Sequence, residues 1–111
     1  MIFDRFDTAF VPFPFAEGPT VKLRPVAILS SRGFNELNGS TLFAMITSST
    51  FATWPSDVVL RDLVVAGLNV PCRIRMRLAT IPNILIRRRL GRLGPVDQLA
   101  CEAAFARMIS G

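Results

Sequence analysis

A proline directly after Arg24 sets the strongest local constraint on this chain. The proline ring disfavours a helical conformation for the residue before it and pushes Arg24 into extended geometry. The apolar run Val26-Ala27-Ile28-Leu29, closed by Ser30 and Ser31, is too short for a helix and suits a strand buried on both faces. Arg24 is then a cation at the rim of a rigid element.

The other apolar runs are also short. Residues 8–15 read as a first strand, 25–31 as a second and 41–48 as a third, with 57–60, 72–80 and 85–93 following. Pro12 and Pro14 are two apart, so both missing N–H donors face one side, as an exposed sheet edge allows. Residues 32–40 read as a turn region because Asn38-Gly39 is a strong turn signal. Residues 61–67 read as one or two helical turns. Gly94-Pro95 opens a convincing helix, with Asp97 favourable to its N-terminal dipole and an apolar stripe through Leu99, Ala103, Phe105 or Ala106, and Ile109. Short strands at close spacing plus one terminal helix predict a single, mainly β domain over 1–111: a small, strongly curved β barrel with a C-terminal α-helix packed on it.

Half of the 111 residues are hydrophobic, 19% are charged, and histidine and tyrosine are absent. Without histidine, Ser/His and Cys/His nucleophile pairs, paired-histidine ribonuclease chemistry and most zinc sites are excluded. Cys72 and Cys101 lack partners at metal-ligand spacing and read as reduced, semi-buried fillers. No metal or cofactor is expected. No apolar run approaches the roughly 20 residues that span a bilayer, and the N-terminus lacks a signal-peptide apolar stretch, so the expectation is a cytoplasmic protein without membrane contact.

The net charge of +5 comes from 12 arginines and one lysine against 8 acids. Arg73, Arg75, Arg77, Arg87, Arg88, Arg89 and Arg92 share an acid-free stretch, which points to a polyanion or an acidic protein partner. Arg73, Arg75 and Arg77 alternate with Ile74, Met76 and Leu78, predicting a strand with one arginine face and one core face. That arginine face is either a polyanion groove or a plain solvated sheet face.

If the strands holding Arg24 and Thr47 belong to one curved sheet, the two residues can approach. A guanidinium beside hydroxyls makes a phosphate site. Such a site can cleave RNA, whose own 2′-hydroxyl is the nucleophile, by orienting it and stabilising charge on the phosphorane.

Val11-Pro12-Phe13-Pro14-Phe15, Arg24-Pro25-Val26-Ala27-Ile28-Leu29-Ser30, Ala44-Met45-Ile46-Thr47-Ser48-Ser49, Ala66-Gly67-Leu68 and Gly91-Arg92-Leu93, in that order, resemble the MazF/PemK toxins of type II toxin–antitoxin systems over essentially the whole chain. The resemblance implies an SH3-like barrel, a homodimer, and a metal-independent endoribonuclease acting on single-stranded RNA. It also implies an antitoxin whose acidic tail lies in the RNA groove. By position, the family's catalytic arginine falls on Arg24 and its strand-end hydroxyl on Thr47, with Ser48 a lesser candidate. Thr20 and Lys22 match the segment that closes over RNA, and Ser31 and Arg77 fall at substrate contacts. Glu17 stands seven positions before Arg24, further than the family's loop acid usually does. Trp54 is a candidate to stack a base, or to anchor a loop or a dimer contact. Arg73 and Arg75 join Arg77 as groove candidates, and Arg87, Arg88 and Arg89 are assigned to antitoxin acids rather than RNA. Gyrase poisons share this barrel, but they carry a tryptophan near the C-terminus, whereas this sequence runs Met108-Ile109-Ser110-Gly111.

Overall fold

The computed structural model describes residues 1–12, 22–48 and 52–111. Six strands and two α-helices succeed one another: β1 (Asp7–Pro12), β2 (Leu23–Ile28), α1 (Arg32–Asn38), β3 (Ser40–Thr47), β4 (Val58–Val59), β5 (Arg73–Pro82), β6 (Arg88–Arg92) and α2 (Pro95–Ser110). They form one antiparallel sheet in the order β4-β5-β3-β2-β1-β6, curled into a half-barrel. The mainly β architecture with a terminal helix is the one the sequence predicts.

The central strands are buried on both faces, as their apolar runs require. On β2, Ala27 packs into one apolar cluster while Val26 and Ile28 pack into another. On β3, Ala44 and Ile46 enter the first cluster and Phe43 the second. The first cluster lies under α2, which contributes Cys101 and Ala104. Burial pushes the Cys101 thiol up to about 11, which keeps it protonated near neutral pH.

Several local expectations change. Residues 32–38 are helical rather than a turn: Ser31 caps the helix by accepting from the Phe34 N–H at 3.1 Å, and Gly39 ends it at φ 67°. Residues 61–67 make hydrogen-bonded turns, not helix. β1 is no edge strand, since β2 flanks it on one side and β6 on the other. Its β6 ladder stops at Phe10, however, so Pro12 lies past the point where a donor is needed on that side.

Helix α2 stands where it was expected but buries a different stripe. Asp97, Cys101 and Ala104 are inside, while Leu99 and Ile109 are exposed. Hydrogen bonds select this face: the buried Asp97 carboxylate accepts from the Arg61 N–H at 3.0 and 3.1 Å and from the Asp62 N–H at 3.0 Å. The small side chains at 101 and 104 then let the helix approach the sheet closely. Among the described residues no helix is long and apolar enough to cross a membrane.

A candidate phosphate site between diverging strands

Strand β2 pairs with β3 through Val26↔Met45, Ala27↔Ala44 and Ile28↔Phe43, and the pairing goes no further toward Arg24. Pro25 has no N–H to continue the ladder. Counting two residues outward in the same antiparallel register sets Arg24 opposite Thr47. A cavity of about 680 Å³ opens at this end of the two strands, lined by Arg24, Pro25, Met45, Ile46, Thr47 and Ser48. Arg24 is exposed and, among the described residues, forms no ion pair. The sequence pattern placed this cation and these hydroxyls far apart along the chain; the fold brings them to one cavity.

The opposite wall comes from residues that the sequence reading did not assign to RNA. Val64, Gly67, Leu68, Asn69 and Val70 line it, together with Phe10, Arg88 and Leu90. The 64–70 segment is pressed against β6 with no room to spare: a Cβ on Gly67 would stand 2.2 Å from the Leu90 carbonyl oxygen, and one on Gly91 would stand 2.3 Å from that of Val65. Gly67 also takes φ 72°, where other residues are strained. The Thr8 hydroxyl donates to the Ala66 carbonyl at 2.7 Å and the Arg92 N–H to that of Val65 at 3.0 Å, pinning the wall from two strands. No carboxylate lines the cavity among the described residues.

The remaining candidates divide. Arg73 is in register with Thr47 and lines a smaller cavity of about 290 Å³ whose walls include Ser48, Val70 and Cys72, all shared with the larger one. It stays beside the site, although its Nη1 lies 3.9 Å from an Asp57 oxygen. Arg75 does not stay beside it. Arg75 is 8% exposed, and its guanidinium grips Asp57 with two bonds, Nε–Oδ1 at 3.1 Å and Nη2–Oδ2 at 2.9 Å; Nη2 also donates to the Ala52 carbonyl at 3.0 Å. The loop carrying Asp57 covers this part of the strand and neutralises it, so the expected open arginine face is interrupted at Arg75. The expected apolar face holds: Ile74 and Met76 are in the core and Leu78 packs on it.

Trp54 is likewise elsewhere. Its ring lies under Arg75, whose Cζ is 5.0 Å from the ring centroid, and it lines a groove with Met76, Ala104 and Met108 rather than the Arg24 cavity. Within this chain Trp54 packs against Arg75, apart from the Arg24 cavity. Ser31 stands apart from the cavity as well. It lies past the other end of β2 from Arg24, and its hydroxyl is occupied as the α1 cap. Lys22 is exposed just before β2 and does not line the cavity. Arg77 is exposed on β5 and does not line it either. Thr20, with Glu17, lies outside the described residues.

Burial pushes the Asp57 carboxyl up, but the Arg75 hydrogen bond, the Trp54 N–H and the charges of Arg75 and Arg73 outweigh it and hold the group below its ordinary value. Asp57 therefore remains an anion under any condition in which the fold persists near neutrality. The residue that sequence reasoning missed at the site is Arg88. Alternation along 85–93 carried the signal, because Arg88 and Leu90 share a side that Arg87 and Arg89 do not.

A family model described as PemK-like, MazF-like toxin of type II toxin–antitoxin system matches residues 4–109. The Mycobacterium tuberculosis toxin MazF-mt6 superposes with a TM-score of 0.73 at 23% identity, over 94% of this chain and 96% of that one. An endoribonuclease in complex with its cognate antitoxin, from a mycobacterial species, gives a TM-score of 0.74 at 13% identity, over 98% and 94% of the two chains. A MazE–MazF structure from Deinococcus radiodurans gives 0.74 at 14% identity, over 98% and 96%. Among curated proteins no relative matches.

Proposed function

The chain belongs to the PemK-like, MazF-like toxins of type II toxin–antitoxin systems, and from that membership we propose that it is an endoribonuclease cutting single-stranded RNA in the cavity between β2 and β3. One observation carries the reading: Arg24, Thr47 and Ser48 meet in a cavity that no carboxylate lines among the described residues. A guanidinium without a competing counter-ion is available for a phosphate, and because a guanidinium carries only donors it acts as an electrostatic stabiliser rather than a proton acceptor.

In the proposed reaction the RNA phosphodiester sits against Arg24, with the Thr47 hydroxyl orienting a non-bridging oxygen. The 2′-hydroxyl gives its proton to water and its oxygen bonds to phosphorus as the bond to the 5′-oxygen breaks, and that departing oxygen takes a proton from water. The products are a 2′,3′-cyclic phosphate and a 5′-hydroxyl end. Charge builds on the phosphorane oxygens in between, and Arg24 is placed to stabilise it. The step draws on chain residues and the substrate's own nucleophile, and needs no metal ion. An antitoxin with an acidic segment is the proposed inhibitor, occupying the same cationic cavity. A homodimer acting in the cytoplasm is the proposed working form.

Long single-stranded RNA incubated with the protein in EDTA tests the reading. Fragments with 5′-hydroxyl ends are expected, and Arg24→Ala is expected to lower the rate at least about a hundredfold, the loss usual for one stabilising donor. Intact RNA, or cleavage indifferent to Arg24→Ala, overturns it.

A further inference from the structure

β6 presents consecutive arginines, and the sheet sorts them. Arg89 Nη2 and Arg92 Nη1 each lie 3.3 Å from the Oδ1 of Asp7, whose side chain is buried, so those two charges share a built-in counter-ion. Arg88 is turned the other way. It is in register with Phe10, and its Cζ lies 5.5 Å from that ring's centroid. Among the described residues it forms no ion pair, and it lines the same cavity as Arg24. Stacking on an aromatic face holds the guanidinium plane and leaves its N–H edge for an anion.

We infer that Arg88 is a second phosphate-holding cation, gripping the RNA backbone at a phosphate neighbouring the one that Arg24 faces. The inference rests on the ribonuclease reading of the cavity. β1 separates β2 from β6, so the two arginines are rooted two strand spacings apart, about 10 Å. That separation suits neighbouring phosphates of one strand better than a double grip on a single phosphate. Phe10 lies on the strand between those that carry the two cations, and Leu68 and Leu90 add apolar lining to the same cavity. Cations with apolar surface beside them fit a polymer that alternates phosphate and base. An acidic peptide would satisfy the charges but leave the apolar surface unused, so RNA is the favoured occupant.

Binding of long mixed-sequence RNA with every 2′-oxygen methylated, which removes the nucleophile, tests this without cleavage. Arg88→Ala is expected to weaken binding about tenfold, the loss of one charged hydrogen-bonding group. It should also make the slope of log affinity against log salt shallower by about 0.7, one phosphate contact on a single strand. Arg88→Gln should behave the same way and Arg88→Lys should keep the slope, so a folding defect in any one variant does not decide the matter. Arg32→Ala, which alters a cation paired with Asp4 at the start of α1, should leave the slope unchanged.

An unchanged slope in Arg88→Ala and Arg88→Gln, with binding weakened in Arg24→Ala, overturns the role of Arg88 and leaves the site intact. No effect from either position, or no RNA binding at all, overturns the cavity reading along with it. Unchanged RNA affinity with lost binding to poly-glutamate overturns it in favour of a protein contact.

Discussion

Asp57 receives two guanidinium groups and the Trp54 N–H, and its side chain is only 3% exposed. Its native-state pKa lies below the ordinary carboxylate value, so the carboxylate stabilises the fold above about pH 4 and that contribution is lost as pH falls further. Asp57→Asn leaves Arg75 buried without its anion and is expected to cost about 3 kcal/mol at neutral pH. Its melting temperature should also depend less on pH between about 4 and 2 than that of the parent. Thermal unfolding across that range checks both statements; an equally steep acid limb in the variant would remove Asp57 as the titrating group. Alternation correctly put Arg75 opposite the core face, but it carried no information that Asp57, 18 residues earlier, would cover it.

Helix α1 gives Ser31 a role that the sequence alone did not suggest. Its hydroxyl caps the helix, so Ser31→Ala should lower stability by about 1 kcal/mol while RNA cleavage per folded molecule stays unchanged. A fall in cleavage at unchanged stability would return Ser31 to the substrate. The serine and Gly39 were both legible as helix ends, but Gly33 and the Asn38-Gly39 pair favoured a turn; tertiary contacts overrode that preference. The buried Asn35 Nδ2 donates to the Phe3 carbonyl at 3.0 Å, which ties the short helix to the N-terminus. At the cavity, the 64–70 segment and β6 meet backbone to backbone. Gly91→Ala would drive a methyl group into the Val65 carbonyl and is expected to cost about 1–3 kcal/mol, with a drop in RNA affinity as the wall shifts. Unaltered melting and binding would mean that the wall yields freely.

For the molecule as a whole, charge location matters more than the net +5. If Arg24 and Arg88 each hold one phosphate, log affinity for single-stranded RNA should fall against log salt with a slope of magnitude about 1.4 or more. A slope near zero would show that the cationic cavity does not hold the strand. The sequence by itself determined the strand-rich architecture, the doubly buried central strands and the terminal helix. Those features follow from local rules: proline geometry, short β-branched runs and helix-end chemistry. Only the tertiary structure decided which arginines remain open to a ligand. Arg75 is silenced by Asp57, and Arg89 and Arg92 are drawn to Asp7 from 82 and 85 positions away, while Arg88 keeps its charge in the cavity. Neutralisation depends on distance through space, and no pattern along the chain encodes it.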